Sequence, residues 1–302
     1  MFRLCKTTLL VSGLLLSAVA HAGKLAIVID DFGYRPKEEN KVLQMPPAIS
    51  VAVLPNAPGA HAMATKAHQL GHEVLIHLPM APLSKQPLEK DTLTPEMPSA
   101  EIERIIRSAV NKVPYAVGLN NHMGSKMTSS LFGMQKVMQT LDQYNLYFLD
   151  SMTIGNSQSI PAAQGTHVKV LKRRVFLDDS QNEEAVRQQF SRAVRMAQRN
   201  GYAIAIGHPH PNTVRVLQQM LPTLPADITL VRPSQLLNEP LHAAPPSGPT
   251  SKPDAPPKPR FQPPGECKIE GPLAPVPATR MLDVIGESLG NSRVAETVKS
   301  LF

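Results

Sequence analysis

The sequence predicts an α/β fold with a parallel sheet that can close into a barrel, and two observations support this. First, short β-rich apolar runs alternate with helical stretches between residues 23 and 240, which is the pattern of successive βα units. Second, five of these runs deliver Asp or His at their carboxyl ends. In parallel α/β folds, functional side chains collect at that end of the sheet.

Eight segments have the composition of strands. The first, LAIVIDDFG from Leu25, runs through five apolar residues into Asp30 and Asp31. A continuous apolar run of this kind is typical of a strand buried on both faces. The predicted strands are 25–30, 49–54, 73–78, 116–122, 146–151, 167–177, 203–208 and 228–232.

Helical segments lie between several of these strands. Ser99 is the predicted N-cap of a helix whose apolar residues share one face. Ser180 and Glu183 form a predicted capping box for a long helix that stops at Gly201. A third helix has an apolar stripe that we interpret as core packing. That stripe comprises Met134, Val137, Met138 and Leu141.

The first 22 residues have the features of a secretory signal peptide. Arg3 and Lys6 give a positive start, residues 9–20 form a short apolar core, and Ala22 precedes the predicted cleavage point. That core is too short for a membrane span, and no later segment approaches about 18 uninterrupted apolar residues. We therefore expect an exported, periplasmic protein that is soluble rather than membrane-spanning.

The composition changes after residue 239. Residues 240–279 contain 13 of the 30 prolines, which predicts a disordered linker. Residues 280–302 form a short amphipathic segment that could dock on the domain or on an envelope protein partner, or remain a weakly helical tail. Residues 23–239 are therefore the predicted functional domain.

Charge and cysteine content exclude some functions. The formal net charge is +7, of which Arg3 and Lys6 belong to the predicted leader, and the chain has no Trp. This modest excess and the few aromatic residues argue against nucleic-acid binding. We interpret the basic cluster at 169–174 as a solvated surface. Because Cys5 lies in the leader, the mature chain keeps only Cys267 and no internal disulfide is expected.

Polar residues at the predicted strand ends form the candidate site. The set is Asp30, Asp31, His77, Asn120, Asn121, His122, Asp150, Ser151, His208 and His210. Each member alone has an ordinary explanation, such as a helix cap or an exposed histidine, but the set together favours a site. Asp178 and Asp179 also follow a strand, and because they precede Ser180 we interpret them as capping residues.

These residue types favour a metal site. Adjacent carboxylates repel each other and are costly to desolvate, and a bound cation relieves both problems. One Asp with His77 and His122 would supply three ligands for zinc or a similar ion and leave a position for water. Coordination lowers the pKa of that water to around 7. The other Asp is then free as a general base, and His208 can protonate the leaving group.

Five motifs together resemble the divergent polysaccharide deacetylases, a branch related to the NodB-type superfamily. These motifs are IVIDDFG, GHEVLIHLPM, VGLNNHMGS, FLDSMT and IAIGHPH, and the resemblance covers residues 24–238. It implies a deformed (β/α) barrel forming a single catalytic domain. It also implies that Asp30 is the catalytic base, that Asp31 is a metal ligand and that His208 is the general acid. Asp150 matches an acidic position that orients a catalytic group.

The chain departs from the superfamily at its second and third motifs. The superfamily places a second metal-binding histidine four residues after the first, but this chain has Ala81 after His77. We predict that His122 replaces the missing ligand. Asn120 and Asn121 stand near the position where the superfamily offers an arginine, and with His210 they are predicted to bind substrate.

Three functions remain open from the sequence. The leading hypothesis is a hydrolase, with a divalent metal expected to be zinc, that cleaves acetyl amide bonds of an N-acetylated envelope polysaccharide with metal-bound water as nucleophile. The second is an envelope factor that binds glycan or protein without deacetylase turnover. The third is a two-carboxylate glycosidase without metal. Adjacent Asp30 and Asp31 suit that mechanism poorly because it needs opposed carboxyl groups several ångströms apart.

Overall fold

The structure is a computed structural model that describes residues 22–239. The predicted functional domain, 23–239, falls within this part of the chain. Nearly all of the predicted signal peptide, the linker 240–279 and the tail 280–302 lie outside the described residues and stay predictions. Within residues 22–239, no helix is long and apolar enough to cross a membrane.

Strands and helices alternate along the described chain. In order they are β1 (Gly23–Phe32), α1 (Pro36–Val42), β2 (Ser50–Val53), α2 (Ala60–Gln69), β3 (Val74–Met80), α3 (Ser99–Lys112), β4 (Ala116–Met123), α4 (Ser125–Thr128), α5 (Leu131–Asp142), β5 (Tyr147–Asp150), α6 (Ser159–Ala162), β6 (Val170–Lys172), β7 (Val175–Phe176), α7 (Glu183–Asn200), β8 (Tyr202–Gly207), α8 (Pro211–Met220) and β9 (Ile228–Val231). Short 3-10 helices follow α8 and β9 at Leu221–Thr223 and Pro233–Leu236.

The strands form one curled sheet in which the neighbouring strands pair in parallel. Their order is β6-β5-β4-β3-β2-β1-β8-β7, and β9 pairs with the first part of β1. The first strand of the chain therefore lies inside the sheet, between β2, the next strand in sequence, and β8 and β9, which come much later. This arrangement confirms the predicted α/β fold of the deformed (β/α) barrel type.

The predicted strand 167–177 is split into two, β6 and β7. β6 pairs with β5, whereas β7 pairs with β8 at the other edge of the sheet. Between them, the backbone N–H of Arg173 donates to Asp150 O (3.0 Å) and that of Arg174 donates to Ile204 O (2.8 Å). One short segment thus changes partners midway and connects the two edges of the curled sheet.

The two faces of the sheet pack against different partners. Along β1, Leu25, Ile27 and Ile29 belong to the large core that also contains buried residues of the helices. The alternating residues Ala26 and Val28 belong to a second cluster made mostly of strand residues. Since side chains alternate between the faces of a strand, the second cluster fills the inside of the curled sheet.

Two predicted helix starts are corrected by the structure. Helix α3 begins at Ser99 itself, which makes no side-chain cap. Helix α7 is capped by Asn182, whose side chain accepts a hydrogen bond from the N–H of Glu184 at 2.8 Å, so Ser180 lies before the cap. Asn is as good an N-cap as Ser, and the later residue takes the role. The end of α7 at Gly201, with φ 79°, is as predicted.

Candidate active site

Inward-facing side chains meet at the carboxyl end of the sheet. Asp30 continues the inward series of β1, His77 that of β3, and Asn120 and His122 that of β4. His208 lies just beyond the end of β8. The curl of the sheet lets residues on β1 and β4 touch, although two strands lie between them. The predicted convergence of these strand ends is therefore present in the structure.

Asp31, His77 and His122 bring one ligand atom each to a common point. Asp31 Oδ1 lies 3.2 Å from His77 Nε2 and 3.1 Å from His122 Nδ1. The two imidazole nitrogens lie 3.1 Å apart. Bonds of about 2.0–2.1 Å in a tetrahedral zinc site put neighbouring ligand atoms roughly 3.3 Å apart. The triangle therefore has the size that a bound divalent ion requires.

The hydrogen-bonding pattern of this triangle also fits a cation. Asp31 Oδ1 is buried and accepts no well-aligned hydrogen bond. Two facing imidazole nitrogens can share only one proton, and an ionised carboxylate has none to give. A buried, unpaired carboxylate oxygen is costly unless a positive group faces it. Asp31, His77 and His122 could therefore hold a metal ion, without a ligand from the buried Ala81.

Asp31 reaches this point through an unusual backbone conformation. Its φ of 58° lies in the left-handed region, which turns its side chain out of the normal alternation of β1. Met123, the last residue of β4, and Met152, two residues after β5, also have positive φ values of 54° and 51°. All three flank the site, where strained conformations of this kind commonly collect. Burial raises the pKa of Asp31, but contacts with His122 and His77 outweigh it and hold that pKa well below its usual range.

Asp30 is buried beside the triangle. Its Oδ2 lies 3.6 Å from His77 Nε2, and its Oδ1 accepts a 2.8 Å hydrogen bond from Asn120 Nδ2. Burial raises the pKa of Asp30, and the neighbouring charges of His77 and His208 reverse this only in part. Burial lowers the pKa of His77, but Asp30 and Asp31 outweigh it and the net pKa is raised. Asp30 thus has one oxygen fixed and one facing the site.

His208 is near the other carboxylate oxygen of Asp31 and is held by Asp178. Its Nε2 lies 3.9 Å from Asp31 Oδ2, and its Nδ1 lies 3.0 Å from Asp178 Oδ1. Asp178 Oδ2 accepts hydrogen bonds from the His208 N–H (2.7 Å) and from Thr213 Oγ1 (2.8 Å). Burial lowers the pKa of His208, but Asp178 outweighs it and raises that pKa to about 9. The prediction that Asp178 caps a helix was therefore wrong.

Asp150 and Asn121 face away from the inward series because they occupy the alternate positions of β5 and β4. Both carboxylate oxygens of Asp150 are occupied, by the Met152 N–H at 2.8 Å and by the hydroxyls of Ser157 and Ser159 at 2.5 and 2.6 Å. This geometry shows Asp150 anchoring the loop after β5, so its predicted catalytic role gains no support. The amide of Asn121 bonds Ser151 N and Met123 O.

Asn120 and His210, which are predicted to bind substrate, each contact other side chains in the structure. Asn120 is fully buried, with its amide between Asp30 and His77, which places it behind the site. His210 Nδ1 lies 2.6 Å from a guanidinium nitrogen of Arg35. Since guanidinium only donates, His210 Nδ1 accepts. Burial lowers the pKa of His210; Asp178 raises it and Arg35 lowers it, and the net pKa is lowered. Contact of His210 with substrate stays a prediction.

A cavity of about 410 Å³ opens over the site, within the range of small-ligand pockets. Its described lining includes Asp30, His77, Asn121, His122, Met123, Ser151, Met152, Thr153, Arg173, Phe176, Asp179, Ile206 and His208. Arg173 donates from Nε and a terminal nitrogen to Ser151 O (2.6 Å) and Met152 O (2.8 Å), and its guanidinium lies over Phe176. The interpretation of 169–174 as a solvated surface was thus wrong for Arg173.

Fold and site together define a class of protein, a (β/α) barrel whose strand ends carry Asp and His residues able to hold a metal ion. The sequence profile of the family described as "divergent polysaccharide deacetylase" matches residues 27–237. The chain belongs to this family.

Two relatives and one solved structure are similar to this chain. The chain is 68% identical over 281 residues to the protein YibQ of Escherichia coli (strain K12), covering 92% of this chain and 87% of YibQ. It is 46% identical over 208 residues to a Haemophilus influenzae protein, covering 69% of this chain and 74% of that protein. The crystal structure of ATU2773 from Agrobacterium tumefaciens C58 matches with a TM-score of 0.67 at 21% identity, covering 72% of this chain and 91% of that one. That structure supports the fold.

Proposed function

We propose that the protein is a metal-dependent hydrolase that removes acetyl groups from the amide nitrogens of an N-acetylated envelope polysaccharide. The observation that carries this proposal is the triangle of Asp31, His77 and His122, placed beside the buried carboxylate of Asp30. Membership of the divergent polysaccharide deacetylase family supports a carbohydrate substrate.

The ligand set favours zinc. Two imidazoles and one carboxylate at these separations form the three-residue set that catalytic zinc sites use. A divalent ion bound by Asp31, His77 and His122 would supply positive charge and a water of lowered pKa.

Asp30 and His208 divide the proton transfers between them. Asp30 Oδ1 is engaged by Asn120, so Oδ2 is the oxygen available to accept a proton as general base. His208 is held through Nδ1 by Asp178, which leaves Nε2 to donate a proton to the departing amine. His208 Nε2 lies 3.9 Å from Asp31 Oδ2, and Asp30 Oδ2 lies 3.6 Å from His77 Nε2, so both groups are close to the triangle at which the amide would bind.

The cavity walls suit a sugar bearing an acetyl group. Phe176, Ile206 and Met152 give apolar surface beside the polar site, and such surface excludes water from the reacting amide. The carbonyl oxygens that hold Arg173 belong to Ser151 and Met152. This arrangement fixes that wall of the cavity in place.

We further propose that the protein acts in the periplasm, because its first 22 residues have the pattern of a signal peptide. Its substrate would then be an envelope glycan. The Pro-rich segment and the tail after residue 239 provide a means of recruiting an envelope protein partner.

The test compares three forms of the protein for metal content and acetate release. Wild type, Asp30→Asn and Asp31→Asn would be measured by elemental analysis and with N-acetylated oligosaccharides. We expect Asp30→Asn to keep the metal and lose turnover by about 10²–10⁴-fold, and Asp31→Asn to lose the metal. If Asp30→Asn loses the ion and Asp31→Asn keeps it, the two roles are assigned wrongly.

Two other outcomes would replace the proposal. A wild-type protein that binds glycan without releasing acetate would be an envelope binding factor, the second function that the sequence left open. Cleaved glycan chains without a metal requirement would indicate a glycosidase.

A further inference from the structure

Asn120 is neither a proposed metal ligand nor a proposed proton donor or acceptor, yet it contacts residues with both roles. It is fully buried on β4, directly beside His77 in the β3–β4 pairing. Its side chain also reaches Asp30, which lies on β1 and is 90 residues away in sequence. A single amide therefore touches both a ligand of the candidate metal site and the candidate base.

The orientation of this amide follows from Asp30. An ionised carboxylate only accepts hydrogen bonds, so the 2.8 Å contact with Asp30 Oδ1 must come from the NH₂ group of Asn120. The second hydrogen of that NH₂ group points towards Ser151 Oγ, at 3.4 Å. The carbonyl oxygen of Asn120 then faces His77 Nδ1 at 2.9 Å.

This orientation in turn fixes the protonation of His77. Because a carbonyl oxygen accepts, the hydrogen between the two residues sits on His77 Nδ1. His77 Nε2 then presents its lone pair to Asp31 and His122, which is the state a metal ligand needs. The same amide occupies Asp30 Oδ1 and leaves Oδ2 open.

We propose that Asn120 is a positioning residue that couples the metal ligand His77 to the base Asp30. Its carbonyl selects the His77 tautomer that binds metal, and its NH₂ group orients the Asp30 carboxylate. The role towards Asp30 rests on the proposed deacetylase function, whereas the role towards His77 requires only that a metal is bound.

The experiment tests the carbonyl group and the NH₂ group of Asn120 separately. Asn120→Asp keeps an acceptor for His77 Nδ1–H but replaces the donor to Asp30 with a second carboxylate. Asn120→Leu removes both. Asn121→Leu is the matched control, since Asn121 is equally buried and bonds backbone groups of Ser151 and Met123.

The main readout is zinc affinity in the full chain, measured by competition with a chelator. We expect Asn120→Leu to weaken zinc binding by about 10–100-fold, the usual effect of removing a partner that orients a metal-binding histidine. Asn120→Asp and Asn121→Leu should stay within about threefold of wild type, because each leaves His77 Nδ1 with an acceptor. Equal losses in Asn120→Leu and Asn121→Leu would reduce the role to structural support and overturn the proposal.

Two further readouts complete the test. The His77 Nδ1–H proton should give a protected NMR signal in zinc-loaded wild type and Asn120→Asp. Acetate release should fall by at least about 100-fold in Asn120→Asp despite the retained metal. Full turnover in that variant would overturn the role towards Asp30.

These readouts also separate this proposal from the proposed function. If wild type binds zinc but releases no acetate, the deacetylase proposal fails, while the zinc affinities and the NMR signal still decide the role towards His77. If Asn120→Leu does not fold, Asn120→Asp decides alone. A retained Nδ1–H signal with wild-type zinc affinity supports the proposal, and loss of both overturns it.

Discussion

Replacing Asp178 by Asn should lower the pKa of His208 in the metal-free protein by about 1–3 pH units, the usual effect of losing an adjacent opposite charge. In the wild type, burial lowers this pKa, but Asp178 outweighs it and raises the pKa to about 9. Asp178 Oδ1 lies 3.0 Å from His208 Nδ1, and Asp178 is itself buried. An Asn of the same shape can fill the space without supplying the charge.

The same change has a defined effect on stability against pH. Because the pKa of His208 is raised on folding, its contribution is fully present below the unfolded value of 6.5 and is lost as pH rises through about 9. A rise from 6.5 to about 9 corresponds to folding free energy on the order of 3 kcal/mol. Wild type should therefore lose stability between these pH values, and Asp178→Asn should lose much less.

Both effects can be measured on protein treated with a chelator. An NMR titration would follow the His208 ring protons, assigned with His208→Gln, and urea unfolding at pH 6 and pH 9.5 would give the free energies. Asp179→Asn is the matched control, because it removes the same charge from an exposed neighbour. Equal shifts of the His208 pKa in the two variants would refute the argument that direct contact with Asp178 sets that pKa.

Three further predictions follow from local contacts. His122→Ala should abolish binding of the proposed divalent metal in elemental analysis, and metal retained in that variant would exclude His122 as a ligand. Gly118→Ala should lower stability to urea by about 1–3 kcal/mol, since an added Cβ would lie 2.6 Å from the Tyr147 ring; Gly155→Ala, with open space around it, should change little. Glu39→Ala should lower stability by about 3 kcal/mol, because Glu39 Oε1 accepts three backbone N–H bonds; Glu39→Gln keeps that acceptor and should lose less.

The gathering of the site could be predicted because parallel strands end on one side of a sheet. This prediction does not require the order of the strands in the sheet. The sequence therefore predicted correctly that Asp31, His77 and His122 lie close together. The alternation of β5 could also have shown that Asp150 lies on the helix-facing side with Phe148. The catalytic role predicted for Asp150 came from the family resemblance, which does not take this alternation into account.

Other residues of the site depend on contacts that no local pattern contains. Asp178 has the sequence context of a cap, and only the approach of β8 brings His208 to it. Arg173 lies in a basic run, and its position in the cavity depends on the change of strand partners between β6 and β7. The contact of Asn120 with Asp30 depends on the curl of the whole sheet.

The position of β1 inside the sheet has a consequence for how the chain folds. β1 is made first, yet two of its three partners, β8 and β9, begin at Tyr202 and Ile228. Until those strands are available, one edge of a strand whose central residues 25–29 are all apolar has no partner, and such edges promote aggregation. Pairings this distant in sequence also slow folding. A chain truncated before Tyr202 should therefore be insoluble even though it contains Asp31, His77 and His122, and the site should assemble only in the last step of folding.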